Sequence, residues 1–133
     1  MEIRALPLTL KSLRPELSWA VEAAQGKKAA GVTVLNLAGL GAFTDAFLLC
    51  TGFSSRQVQA IAEEIEQELS RHGCEPRHRE GFNAGEWVLL DYGFFVVHVF
   101  AERARLYYDL ERLWRSAPRI SLPDFDSAGA AGA

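Results

Sequence analysis

The stretch CTGFSSRQVQAIAEEIEQEL, residues 50–69, reads as a strand end, a glycine turn, two serines and a helix. A helix N-terminus offers unpaired N–H groups, so this layout can cradle a phosphate. Nucleotidyl transfer is the chemistry such a turn would serve. It needs two or three carboxylates holding Mg²⁺ against the substrate phosphates. The segment after the helix, CEPRHRE at 74–80, offers Glu75 but no spaced acidic pair, and Arg77 and Arg79 stand beside it. The metal platform is missing, and helix capping explains the turn instead. Ser54 is placed to cap, Gln57 to complete a capping box, and Phe53 and Val58 to close a hydrophobic staple. Arg56 is left over. A cation in the first turn opposes the helix dipole, which makes it a candidate for a partner.

Two further constellations carry chemistry-bearing side chains. His72, Cys74 and His78 form an H-x-C-x₃-H cluster, but no second cluster completes a tetrahedral site, so a helix end and a strand are expected there. Asp91 and His98 would share a face of a hairpin whose loop is Tyr92-Gly93. That loop sets Asp91 opposite Phe94 and Trp87 opposite His98. The acid and the imidazole then lie roughly 13 Å apart, beyond hydrogen-bond reach. His98 is expected as a structural residue beneath Trp87. No catalytic residue, metal or cofactor is expected.

The elements that position these residues follow from periodicity and punctuation. A first helix is expected over 15–25, started by Pro15, stopped at Gly26, and buried through Leu13, Leu17, Ala20, Val21 and Ala24. Strands are expected at 32–37 and 47–51, the second apolar throughout and so covered on both faces. The helix after Ser54 buries Val58, Ile61, Ala62, Ile65 and Leu69 and turns Glu63, Glu64, Glu66 and Glu68 to solvent. Gly73 closes it. An extended piece at 74–78 precedes strands at 86–91 and 94–100, joined by a DYGF turn in which Gly93 supplies the backbone freedom. A last helix over 103–115, with Leu106, Leu110, Leu113 and Trp114 inward, ends before Pro118. The order α-β-β-α-β-β-β-α predicts an α/β fold with one mixed sheet of about five strands flanked by helices. Residues 15–118 would form this domain between a flexible N-terminus, 1–14, and a flexible tail, 119–133, of which SLPDFDSAGAAGA is compositionally simple.

A chain of 133 residues suits one such domain, and 49% hydrophobic residues suffice for a core. No apolar run approaches the ~20 residues that span a bilayer, and no secretory signal is visible. Two cysteines give no disulfide framework. The expected compartment is the cytoplasm. A net charge of −3 argues against nucleic acid as the main partner, although Arg103, Arg105, Arg112, Arg115 and Arg119 crowd one segment. The remaining signal is aromatic: GEWVLLDYGFFVVHVF followed by RLYYDLERLW. Trp, Tyr and Arg are enriched in interface hot spots, so the residues themselves point to a binding module.

At these residues the chain resembles the Iojap-like family, the ribosomal silencing factors. KKAAGVTVLNL at 27–37, TDAFLLCTGFSSRQVQAIA at 44–62, EGFNAGEWVLLDYG at 80–93, VVHVF at 96–100 and RLYYDLERLW at 105–114 run in the family's order. The resemblance implies a homodimeric α/β protein with a nucleotidyltransferase-like topology that lacks the catalytic acids. It implies binding to the large ribosomal subunit through its ribosomal protein number fourteen. That placement would block joining of the small subunit and repress translation under nutrient limitation; a minor ribosomal RNA contact is compatible with it. The alternative is a degenerate or unrecognised nucleotidyltransferase-type enzyme. Asn36 and Phe94 stand where the family usually has acids. Candidate partner-binding residues are Thr44, Asp45, Arg56, Trp87, Asp91, Tyr92, Arg105 and Tyr108. All lie in the matching motifs, and the two aspartates suit a basic ribosomal protein.

Overall fold

The computed structural model describes residues 14–120 and 122. Helix α1 spans Pro15–Gly26, with Pro15 in its first turn and Leu17, Ala20, Val21, Ala23 and Ala24 buried. Its stop lies beyond Gly26. Lys28 takes the left-handed conformation at φ +62°. Lys28 N then donates to Gln25 O and Ala29 N to Ala24 O, a Schellman closure.

Strand β1 is Ala30–Asn36, and strand β2, Ala46–Gly52, is buried at every position. Helix α2, Ser55–Arg71, follows. Ser54 Oγ accepts from Gln57 N at 3.0 Å, and Gln57 Oε1 accepts from Phe53 N at 2.7 Å. The expected box therefore closes one residue early, on Phe53 instead of Ser54. Phe53, expected in the staple, is 63% exposed. The five expected apolar residues of α2 are all buried. Gly73, at φ +77°, lets Gly73 N reach Ser70 O and Cys74 N reach Leu69 O.

The short edge strand β3 is His78–Glu80, later than expected. Strands β4, Trp87–Asp91, and β5, Phe95–Ala101, form the hairpin. Its turn residues are Gly93 and Phe94, with Tyr92 N bonded to Phe95 O and Gly93 at φ +89°. The register is therefore two residues from the expected one: Asp91 pairs with Val96, Leu89 with His98 and Trp87 with Phe100. A shift of two keeps every side chain on its expected face.

One mixed sheet results, in the order β1-β2-β5-β4-β3, with β2 and β5 parallel and the other pairs antiparallel. Helices α1 and α2 cover one face. Their core joins Leu17 and Val21 to Ile61, Ile65 and Leu69, and to Leu48, Cys50, Val88, Leu90, Val97 and Val99. Each such buried side chain contributes ~1.5–3 kcal/mol relative to exposure. Burial pushes the Cys50 thiol up to about 12, as befits a packed, inert cysteine.

The opposite face carries Leu35, Phe47, Leu49, Val96 and Phe100. The expected single last helix is broken over it. Helix α3 is Glu102–Tyr108 and helix α4 is Leu110–Leu113, with Asp109 between them at φ +49°. The break turns Leu110 and Trp114 onto the sheet. Leu106 and Leu113, expected inward, stay exposed. Beyond α4 the chain runs antiparallel to β1. Asn36 N donates to Pro118 O, Ile120 N donates to Val34 O, and Ile120 is buried. The ordered domain thus reaches past 118 to at least 120. Residues 1–13, with Leu13, and the tail residues 121 and 123–133 lie outside the described residues.

Candidate functional site

The eight candidates fall at two ends of the sheet. Thr44, Asp45, Asp91 and Tyr92 gather where β2 begins and the β4–β5 hairpin turns. Thr44 is buried, and its Oγ1 donates to Gly93 O at 2.8 Å. Asp45 bonds through its backbone, N to Phe94 O and O to Leu37 N, and leaves its carboxylate exposed. Asp91 is half-buried, and its Oδ1 accepts from Gly93 N at 2.8 Å, which braces the turn. Tyr92 is buried and stacks on Phe95 at 5.0 Å. Burial and nearby Glu66 push its phenol well above the ordinary range.

Trp87, Arg105, Tyr108 and Arg56 lie toward the other end. Trp87 packs at 4.5 Å from the ring of the half-exposed Tyr108, and Arg56 is exposed in the first turn of α2. Arg105 is a structural hub. It donates to Gly31 O at 2.7 Å, Thr51 Oγ1 at 3.1 Å and Thr33 Oγ1 at 3.3 Å, and forks onto Glu111 at 2.9 and 3.1 Å. Its acidic partner is thus Glu111, and neither Asp91 nor Asp109. The Arg105 hydrogen bonds hold the Glu111 carboxyl below its usual range. Thr44, Tyr92 and Arg105 therefore serve the fold, and Asp45, Asp91, Arg56, Trp87 and Tyr108 present atoms outward.

Alternation places Asp45, Trp87, Leu89 and Asp91 on the sheet face that carries Phe47, Leu49, Val96 and Phe100. Asp45 and Asp91 flank β5 two residues out of step, so they lie roughly 12 Å apart across the sheet. Trp87 stands four residues of strand from Asp91, roughly 13 Å along it. Two side chains absent from the sequence-derived set join this surface. Phe43 is 76% exposed at 6.3 Å from the Phe47 ring, and Leu89 is half-buried. An aromatic directly before Thr44-Asp45 was the available signal for Phe43. For Leu89 it was alternation with the buried Val88 and Leu90.

His98 lies under this face. Trp87 Nε1 donates to its Nδ1 at 3.1 Å, and the rings of Phe47 and Phe100 enclose it at 4.6 and 6.0 Å. Desolvation pushes its pKa down to about 3, so it stays neutral. His72, Cys74 and His78 are not brought together. His72 stacks on Trp19 at 3.6 Å, Cys74 closes α2 through its backbone, and His78 pairs with Asp91 in the sheet. Among the described residues no three His, Cys, Asp or Glu side chains cluster as metal ligands. No described helix is long and apolar enough to cross a membrane. Asn36 and Phe94 each have a partner in the fold. Asn36 Oδ1 accepts from Ala38 N at 3.0 Å, and the Arg14 guanidinium lies 3.9 Å over the Phe94 ring.

Residues 10–133 match a family model described as "Ribosomal silencing factor during starvation". The ribosomal silencing factor of Halalkalibacterium halodurans is 45% identical over 80% of this chain and 91% of the relative. That of Bacillus subtilis is 42% identical over 80% and 90%. A chloroplastic Iojap protein of Zea mays is 33% identical over 84% of this chain and 49% of its own length. Among solved structures, one from Chromobacterium violaceum superposes with a TM-score of 0.73 at 36% identity, covering 75% of this chain and 83% of the other. One from Bacillus halodurans gives 0.71 at 44% identity over 80% and 96%. With a family model matched over residues 10–133 and a relative 45% identical over 80% of its length, this chain belongs to the family of ribosomal silencing factors.

Proposed function

We propose that this protein silences translation by docking its Asp45–Asp91 face on the large ribosomal subunit, through ribosomal protein number fourteen, where it blocks joining of the small subunit. The observation that carries the reading is a pair of outward carboxylates, Asp45 and Asp91, rimmed by Phe43, Leu89 and Trp87 on one face. Carboxylates complement a basic ribosomal protein and steer its encounter, while aromatic and aliphatic neighbours supply buried area. Repression under nutrient limitation follows from membership of a family described by starvation. The protein acts in the cytoplasm as a homodimer, by binding and not by catalysis.

Co-sedimentation with isolated large subunits tests the docking. Asp45→Asn and Asp91→Asn should each weaken binding with an unchanged melting point, because the amide introduced by Asp91→Asn keeps an oxygen acceptor for Gly93 N. The double variant should lose about 2 kcal/mol or more of affinity. Undiminished binding of the double variant would move the interface off this face.

A further inference from the structure

A second surface lies outside the Asp45–Asp91 face. A groove of about 490 Å³ runs between the start of α2 and the outer side of α3, walled by Ser55, Gly85, Glu86, Arg103, Tyr107 and Tyr108. Its floor is small, with Ala101 and Ala104 beneath the opening. Tyr107 is 80% exposed, and the aromatic ring packed against it is that of Tyr108, edge-on at 5.0 Å. Tyr108 is in turn backed by Trp87 at 4.5 Å. The face of Tyr107 is thus open to solvent on a stiff aromatic support.

Charge is segregated along the chain. Segment 102–119 holds five arginines, at 103, 105, 112, 115 and 119, against Glu102, Asp109 and Glu111. Arg105 and Arg119 both pair with Glu111, whereas Arg103, Arg112 and Arg115 are exposed and form no ion pair among the described residues. Segment 63–75 is the reverse, with five glutamates against Arg71. The chain is acidic in total, and the groove itself brings one exposed cation, Arg103, beside the exposed ring of Tyr107.

An open aromatic face beside an exposed guanidinium is the arrangement that holds a nucleotide of a single strand, base on ring and phosphate on cation. Glu86 adds an acceptor that a 2′-hydroxyl or a base amine can satisfy and a bare polyanion cannot. We propose that the α2–α3 groove binds a nucleotide of single-stranded RNA, its base on Tyr107 and its phosphate on Arg103. The proposal rests on the ribosomal reading only for the source of the RNA.

The test is anisotropy of a labelled single-stranded RNA of about ten nucleotides at about 50 mM salt. Wild-type protein should bind saturably. Tyr107→Ala should weaken binding about tenfold, and Tyr107→Phe should retain it. Arg103→Ala should weaken binding and lower the salt slope by about one. Heparin in place of RNA should bind Tyr107→Ala as it binds wild type. Both side chains are exposed, so the variants should melt with the wild type. Absence of saturable binding, equal affinity of Tyr107→Ala, or binding of free AMP without binding of RNA would each overturn the proposal. Large-subunit docking of Asp91→Asn reports separately on the other face. RNA binding by that variant at wild-type strength keeps the two readings distinguishable.

Discussion

Acid should destabilise this fold through His98. The imidazole is 4% exposed, receives a hydrogen bond from Trp87 on Nδ1, and is surrounded by Phe47, Trp87 and Phe100. Its pKa falls from 6.5 to about 3 on folding, because burial penalises the cation. The unfolded chain therefore binds a proton that the folded chain refuses, and stability is lost as pH falls below 6.5 until about 3. The slope is ~1.4 kcal/mol per pH unit, so going from pH 7 to pH 5 removes about 2 kcal/mol. In a domain of this size that lowers the melting temperature by roughly 10 °C. The perturbation is His98→Phe, which deletes the titration and keeps an aromatic ring. Its melting point at pH 7 should drop, because Trp87 Nε1 loses its acceptor, by about 1 kcal/mol in stability. Thermal unfolding at pH 7, 6 and 5 should then show a much flatter dependence in the variant, with His72 and His78 present in both proteins. Equal pH slopes in the two proteins would refute the assignment of acid sensitivity to His98.

Asp91→Ala should cost about 1 kcal/mol of stability where Asp91→Asn costs little, because only Ala removes the acceptor for Gly93 N; urea titration compares them. Arg105→Ala should cost about 2–3 kcal/mol, since it removes bonds to Gly31, Thr33 and Thr51 and strips Glu111 of its main partner; a variant within about 0.5 kcal/mol of wild type would contradict the hub. Sedimentation equilibrium at micromolar concentration should return twice the 14.7 kDa chain mass, and a strict monomer would exclude the homodimer. Deleting the tail from Ser121 should leave large-subunit binding intact, and a tenfold loss, ~1.4 kcal/mol, would assign the tail a contact.

Long apolar periodicity was what the sequence expressed most clearly. All five buried residues of α2 and the doubly covered β2 could be read from spacing alone. Local backbone choices were less legible. Lys28 and Asp109 adopt left-handed conformations that a rule favouring glycine passes over. Asp109 breaks the last helix because Arg105 must reach Glu111 and β1 while Trp114 reaches Phe47, and both demands are long-range. The site was legible by motif but not by burial. Thr44 and Tyr92 look like partner residues in a string and turn out to brace the hairpin end. Phe43, absent from the sequence-derived set, faces water.

The two borders of the sheet have a consequence for aggregation. An unpaired strand is a template for further strands, and proteins blunt it by covering it or keeping it short and charged. Here the outer strand β3 has three residues, His78, Arg79 and Glu80, all exposed, and Arg79 is tied back to Glu66 at 3.0 Å. At the other border, residues 118–120 lie along Val34, Leu35 and Asn36. Neither border offers another chain a long, flat, apolar ladder. The short stretch after α4 thus shields a strand whose inner residues, Val34 and Leu35, are among the most apolar in the protein. A chain ending before Pro118 would lay that ladder bare and invite copies of itself to stack on it.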